Sequence, residues 1–263
     1  MNNNPLVSIV IPTFNRKKIL LETIKNVLQQ TYKNFEIIIV NDGYSNDLKS
    51  IIQSLKNEKI IYTKTKKNLG CALARVLGVK MSSGEYIAFL DDDDEWDKNY
   101  LKNQLNIFRK NYSIDFVISN YKINYFNKNK EIKNMKKYAI DFQNNIFRRP
   151  GPFLQCCLFK KKILKNMKTL MDSKSIPSED WDFFINLSYI NPIIGFSKQV
   201  GFTWNLSNES QSSDLFKEAI GIENIIKKHK KKIIQLCGIR ILSDHYRRIA
   251  RIYEQLNDYK KIK

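Results

Sequence analysis

Four consecutive carboxylates, Asp91-Asp92-Asp93-Asp94, stand directly after the apolar run Tyr86-Ile87-Ala88-Phe89-Leu90. That run has the length and composition of a buried strand. Four like charges in a row repel one another strongly when all are ionised and unpaired. Two arrangements relieve the repulsion. One is a solvated acidic turn; the other is a divalent cation, a hard ion that takes carboxylate oxygens. Other polar sets could share such a site. Pro12-Thr13-Phe14-Asn15 closes the apolar run Leu6–Ile11, and Asn41-Asp42-Gly43 closes Phe35–Val40. Ser178-Glu179-Asp180-Trp181-Asp182 has the form of a helix start, with Ser178 as cap and acids in the first turn.

The elements that must position these groups follow from periodicity. Residues 6–11 read as a strand apolar enough to be covered on both faces, ended by Pro12. Asn15 is placed to cap a helix over 16–30, whose stripe is Leu20, Leu21, Ile24, Val27 and Leu28. Strands are expected at 35–40, 59–63 and 86–90. Helices are expected at 47–57 and from Asn68 to near Gly84, the latter carrying Leu73, Val76 and Leu77. This alternation predicts an α/β fold with a doubly wound, mostly parallel sheet. In such a sheet ligands bind outside the carboxyl ends of the strands, so residues 12–15, Asp42 and Asp91–Asp94 are expected in one crevice. The first strand carries neither G-x-x-x-x-G-K nor G-x-G-x-x-G, which argues against a P-loop enzyme or an ordinary dinucleotide enzyme.

Further along, 99–111 reads as helix, and 114–125, 153–159 and 194–206 as strands, with a polar run over 207–213. The lysine-rich stretch 122–137 reads as a solvated loop or flap. From Asp214 the composition turns helical, with Gly221 and Gly238 as breakers. The expected organisation is a domain over 1–213 and a basic helical extension over 214–263. Such a stretch packs on its own domain more often than it docks on an anionic membrane or a partner helix.

The chain has 263 residues, a formal net charge of +19 and 43% hydrophobic residues, ordinary for a protein with a real core. Excess positive charge suits a nucleic acid, an anionic membrane face or an anionic substrate. The lysines are spread along the chain apart from the block Lys227–Lys232. Without an Arg-rich recognition helix or an aromatic-basic array, nucleic acid is not an expected partner. Cys71, Cys156, Cys157 and Cys237 lack metal-binding spacing and read as reduced thiols. No apolar run approaches eighteen residues, and Met1–Pro5 lacks the features of a signal peptide. A cytoplasmic protein is expected, with peripheral contact at the inner face of a membrane as a variant.

Four stretches together resemble family 2 glycosyltransferases, which have the GT-A fold. They are Val7–Arg16, Gln30–Gly43, Asn68–Arg75 and Tyr86–Trp96, in the family's order. Ser178–Asp182 resembles the family's later acidic motif, and the likeness extends over about residues 5 to 205. The resemblance implies inverting transfer of a single sugar from a nucleoside diphosphate sugar, UDP being the expected nucleotide, to an acceptor hydroxyl in surface-glycan biosynthesis. The acceptor would be a glycan, a lipid-linked sugar or a protein. It implies that Pro12, Thr13, Phe14 and Asn15 line the nucleoside pocket and that Asp42 contacts the base. Arg75 would lie near the donor; read alone, it is an ordinary charged residue on an exposed helix face. Asp91, Asp92 and Asp93 match the D-x-D motif, with Asp93 as ligand of Mn²⁺ or Mg²⁺ and Asp91 and Asp92 near the ribose or the metal's waters. Asp94 could equally be a solvated cap. Asp180 matches the general base, and Glu179 and Asp182 are its competitors.

Two departures mark this chain. Where many relatives carry a His that holds the metal-diphosphate, it reads Asn205-Leu206-Ser207-Asn208-Glu209. The Q-x-x-R-W pattern of processive synthases is absent, which favours transfer of one sugar. Two other classes stay open: a silent GT-A protein that binds nucleotide sugar or metal without transfer, and a basic module for anionic surfaces.

Overall fold

The computed structural model describes residues 4–44, 47–125, 130–205 and 214–257. Strand β1 (Val7–Thr13) is buried along its whole length, since its side chains are nearly all apolar on both faces. There follow α1 (Lys17–Leu28), β2 (Phe35–Asn41), α2 (Asp47–Ser54), β3 (Ile60–Lys64), α3 (Cys71–Met81) and β4 (Tyr86–Phe89). These are the strands and helices expected from periodicity, shifted by a few residues at their ends. β1 lies between β2 and β4 and parallel to both, with Val7 opposite Phe35 and Tyr86. β3 continues the parallel array beyond β2. The order β3-β2-β1-β4 reverses direction at β1, which makes the gap between the ends of β1 and β4 the topological switch point.

The remaining elements are β5 (Glu95–Trp96), α4 (Tyr100–Lys110), β6 (Phe116–Asn124), β7 (Glu131–Lys133), α5 (Lys136–Ile140), α6 (Phe142–Arg148), β8 (Cys157–Lys160), α7 (Lys161–Lys165), α8 (Glu179–Ser188), β9 (Ile194–Asn205) and α9 (Leu215–Gln255). β8 runs antiparallel between β4 and β6, and β9 returns parallel to β6. The full order is β3-β2-β1-β4-β8-β6-β9-β5, with β7 on β6. An aromatic cluster underlies this half: Phe116 stacks on Phe159 at 5.2 Å, Phe183 of α8 packs edge-on to Phe159, and Phe184 lies tilted against both.

Several expectations are corrected. The stretch 122–137 is not a loop throughout: Lys122 and Ile123 pair with Ile132 and Glu131, and α5 follows. Its first residues end β6, inside the strand expected over 114–125; the strand not expected is β7, whose Glu131 and Ile132 are exposed. Residues 126–129 of that stretch lie outside the described residues, as do Leu206 and the polar run 207–213. Phe153–Phe159 is only partly strand, since Leu154–Cys156 forms a 3-10 turn. α6 was not anticipated, although Phe142, Ile146 and Phe147 are buried at helical spacing and Asp141 caps it through the Asn144 N–H. Asn15 does not cap α1. Its φ of 55° lies in the left-handed region, and its Oδ1 accepts from the Tyr44 N–H. Ser178 stands at the start of α8 without a side-chain cap bond. The buried face of α3 is Ala72, Ala74, Arg75, Gly78 and Val79 rather than Leu73, Val76 and Leu77.

α9 continues through Gly221 and breaks at Gly238, whose φ of 81° is left-handed. No helix of the described residues is long and apolar enough to cross a membrane. Ile222, Ile225, Ile226 and Ile233 of α9 are fully buried, so its first half packs on the domain, chiefly against α6 and the 3-10 turn Ser173–Ser175. A polar chain accompanies this contact. The His229 Nε2–H donates to Asp182 Oδ1 at 2.7 Å, and the Tyr189 hydroxyl lies 2.7 Å from His229 Nδ1. Lys228 reaches Asp182 Oδ2 at 2.7 Å. Burial alone would raise the Asp182 carboxyl, but the His229 and Lys228 contacts outweigh it and hold it below the usual carboxylate range. A depressed carboxylate stabilises the fold above its unfolded pKa of about 3.9, and that contribution is lost as pH falls through the lower folded value. Asp182 is thus a structural anchor between α8 and α9. Asp182→Asn is expected to cost about 1–3 kcal/mol in urea melts at pH 7, because it weakens the buried bond to His229, while the partly exposed Lys228 keeps Asp172 at 3.3 Å.

Candidate active site

The ends of β1, β2 and β4, the start of α3 and the start of α8 converge on a cavity of about 270 Å³. Pro12, Thr13 and Phe14 line it beside Asp42; Asn15 faces Tyr44 instead. The β1–β2 register places Thr13 opposite Asn41, and the Asp42 N–H donates to the Thr13 carbonyl at 2.9 Å. The Asp42 carboxylate accepts from Thr65 Oγ1 at 2.7 Å, the Leu69 N–H at 2.9 Å and the Gly70 N–H at 2.7 Å. It therefore fastens the loop 65–70, and with it the first turn of α3, to the end of β2.

α3 lies hard against β1: a Cβ at Gly78 would come within 2.3 Å of a Val10 methyl. That closeness turns Arg75 inward, at 4% exposure, and corrects its reading as an exposed helix residue. Its Nη2 meets Asp91 at 2.6 Å, and its Nη1 meets Glu179 at 2.9 Å and Asp180 at 3.5 Å. One guanidinium thus joins the end of β4 to the first turn of α8. Cys71 donates its thiol to Glu179 at 2.9 Å, and burial beside that carboxylate pushes the thiol far up, which leaves it protonated and unreactive.

The four aspartates part company in space. Asp92 is 1% exposed; its Oδ2 accepts from Thr13 Oγ1 at 2.6 Å and its Oδ1 meets Arg16 Nη2 at 2.6 Å. Burial pushes its carboxyl up to about 7 against the pull of Arg16 and Thr13. Asp94, at 3% exposure, is no solvated cap. It accepts from the Asn205 N–H at 3.3 Å, and burial, with Asp91 and Asp93 nearby, holds its carboxyl well above the usual range. Asp91 and Asp93 keep side-chain surface, 29% and 22%. Asp91 also accepts from Gln155 Nε2, and Asp93 from Arg16 Nη1 at 2.6 Å. Burial raises the Asp93 carboxyl, Asp91 adds to the rise and Arg16 opposes it.

At the far side, Asp180 is 20% exposed and its Oδ2 accepts from the Leu154 N–H at 3.2 Å. Burial pushes its carboxyl up to about 7; the Arg75 charge opposes this, while Glu179 and Asp91 add to it. Glu179 is 7% exposed and committed to Arg75 and Cys71; Asp182 is fully buried under α9. Of the three acids in that turn, Asp180 keeps the most side-chain surface; Glu179 also lines the cavity, with a buried Oε2 that has no hydrogen-bond partner. Phe153 and Trp204, 4.9 Å apart, wall the space beside Asp180. Asn205 Nδ2 reaches the Asp93 carbonyl at 3.3 Å, and Leu206–Glu209, the rest of the segment lacking the His, lies outside the described residues.

Sequence reasoning assigned no role to Arg16, Gln155 or Trp204. Arg16 stood inside a recognised stretch, but nothing in its spacing tells a clamp from a helix-start residue. Gln155 and Trp204 belong to no pattern.

The chain matches the family model described as Glycosyl transferase family 2 over residues 8–167. It is 30% identical over 260 residues to the Escherichia coli protein named UDP-Glc:alpha-D-GlcNAc-diphosphoundecaprenol beta-1,3-glucosyltransferase WfaP, covering 96% of this chain and 93% of that one. It spans only about a third of the length of several uncharacterised Rickettsia glycosyltransferases that it also matches. Among solved structures, S. aureus TarS 1-349 in complex with UDP-GlcNAc superposes with a TM-score of 0.70 at 17% identity, over 97% of this chain and 89% of that one. The mannosyltransferase PcManGT from Pyrobaculum calidifontis, in complex with GDP-Man and Mn2+, does so with a TM-score of 0.68 at 13% identity, over 95% and 72%. The fold is therefore that of the GT-A glycosyltransferases.

The Asp42 clamp makes a direct prediction. Asp42→Ala strips the acceptor from two loop amides, so amide exchange at Leu69 and Gly70 is expected to accelerate, with a stability loss of about 1–3 kcal/mol in urea melts. Unchanged exchange at both amides would contradict the clamp.

Proposed function

Because the chain belongs to glycosyl transferase family 2, we propose that it transfers one sugar from a nucleoside diphosphate sugar to an acceptor hydroxyl, with inversion, in glycan biosynthesis. The observation that carries this reading is the convergence of Asp91, Asp93 and Asp180 on one cavity at the switch point. In-line displacement needs a leaving diphosphate at one end and a base for the attacking hydroxyl at the other. Asp180 is the proposed base. It keeps surface toward the cavity, and its oxygens are fixed by Leu154 and Arg75. Pro12, Thr13, Phe14 and Asp42 form the nucleoside end, with Asp91 and Arg75 between that end and Asp180. Asn15 and Asp92 support these contacts from behind: Asn15 holds Tyr44, and Asp92 holds Thr13 and Arg16.

A divalent cation fits this donor set in a particular way. No group of three or more ligating side chains occurs among the described residues, which disfavours a cage made of protein alone. A small hard cation held by one or two carboxylates plus phosphates and water needs no such cage, and Asp93 has the surface for it. When bound there, Mn²⁺ or Mg²⁺ would neutralise charge gathering on the diphosphate. PcManGT, with Mn2+ in its complex, is consistent with that cofactor.

UDP is the proposed nucleotide, and a lipid-linked saccharide the proposed acceptor. Both are supported by the name of the nearly full-length relative WfaP, and the nucleotide also by the UDP-GlcNAc complex of TarS. A peripheral contact with the membrane carrying that acceptor belongs to the same proposal.

Asp180→Asn is expected to lower kcat by about 10²–10⁴-fold while donor binding, read by calorimetry, stays near wild type. Wild-type turnover in that variant would remove Asp180 from the role. A base must be ionised to take a proton, so the rate should fall as pH drops through the raised Asp180 value of about 7, roughly tenfold per pH unit. A rate flat between pH 5 and 8 would contradict it. Nucleotide-sugar binding without any release of nucleoside diphosphate, under every acceptor tried, would instead favour a silent binder.

A further inference from the structure

Two arginines face the acidic end of the cavity, and they differ in a telling way. Arg75 is 4% exposed and locked on three carboxylates, as part of the fold. Arg16 is 34% exposed and spans two carboxylates from the open side, Nη2 on Asp92 and Nη1 on Asp93, each at 2.6 Å. Its place in the chain gives no local reason for a cation. Arg16 is the N-cap of α1, where Ser, Thr, Asp or Asn are favoured and positive charge opposes the helix dipole. It makes no cap bond there, and the first turn of α1 holds no acid to offset it. What it meets lies across the switch point, on the turn after β4.

We infer that Arg16 is the resident counter-ion of the metal-binding carboxylates, and that it must release Asp93 before a divalent cation can bind. The inference rests on the reading above, in which Asp93 meets the metal. A guanidinium and a divalent ion on the same carboxylate would stand as like charges a few ångströms apart, so the two compete for it. Asp92 is buried and keeps its half of the fork in either state, while Asp93 keeps the surface by which a cation could approach. The freed Nη1 then faces the part of the cavity where a donor's diphosphate would lie. Metal without nucleotide therefore binds poorly, because displacing Arg16 leaves its charge half-compensated. Metal arriving with a diphosphate binds well, because the phosphates take up both positive groups. The pair Arg16–Asp93 thus makes cation binding conditional on the donor.

The test uses the full chain, Mn²⁺, UDP and GDP, with bound Mn²⁺ read by electron paramagnetic resonance and stability by thermal melts. Arg16→Gln should melt below wild type without metal, since Asp92 loses its charged partner and keeps only Thr13, and Mn²⁺ should recover part of that loss. Mn²⁺ alone should bind Arg16→Gln roughly tenfold more tightly than wild type, a size set by removing one unit charge at contact distance. The gain in Mn²⁺ affinity that UDP or GDP brings should shrink accordingly. Arg16→Lys, with one contact in place of two, should fall between; it decides the matter if Arg16→Gln does not fold. Adding Asp93→Asn to either variant should abolish the tighter Mn²⁺ binding. Mn²⁺ affinity equal to or below wild type in the Arg16 variants, while wild type binds Mn²⁺ with a nucleotide, would overturn this inference alone. Absence of Mn²⁺-dependent binding of both nucleotides to wild type would overturn the site reading, and this inference with it.

Discussion

The candidate site depends on one buried guanidinium. Arg75 is taken out of water and compensated by Asp91, Glu179 and Asp180, which come from the end of a strand and the start of a distant helix. A buried charge that loses a partner costs several kcal/mol, so this arrangement leaves little freedom to any of the four side chains. It also explains neighbours that have no chemistry of their own. Gly78 is small because α3 lies against Val10 of β1, and Ala74 packs with Ile38 and Val40 of β2, a seat that delivers Arg75 to the cavity. The position of Asp180 is thus set by packing on the sheet's other half.

The first ninety or so residues were legible because two periods alternate cleanly there, and parallel pairing brings successive strand ends together. That is why the pattern of the sequence alone puts Asp42 and Asp91–Asp94 in one crevice. The reading failed where burial ran against residue type. In α3 the residues that carried the helical reading, Leu73, Val76 and Leu77, are only partly buried, and the buried positions are Ala72, Ala74, Gly78, Val79 and Arg75. In the stretch 122–137, abundant lysine suggested a loop beyond the strand 114–125, and β7 has no buried residue to mark it; it is defined by pairing with β6. Among the three acids of α8 only the family resemblance singled out Asp180; the different surroundings of the three depend on Arg75, on α9 and on the cavity. The contact between His229 and Asp182 is 47 residues long and has no local signature.

Charge is distributed in opposition. The chain carries a formal excess of +19, yet its cavity gathers Asp42, Asp91–Asp94, Glu179 and Asp180 against Arg16 and Arg75. At long range an anionic ligand meets a positive body, and at contact it meets carboxylates. The first favours encounter and weakens with salt; the second disfavours an anion unless its charge is shared among cations.

The sheet order has a consequence for how the chain is made. β4 pairs on one side with β1, which precedes it, and on the other with β8, which follows only after α4, β6, β7, α5 and α6. During synthesis the apolar strand Tyr86–Phe89 therefore waits with an open edge, the kind of surface on which nascent chains associate wrongly. Four carboxylates directly behind it make that edge repulsive to a second copy of itself. The residues gathered at the finished crevice would thus guard the sheet during its assembly.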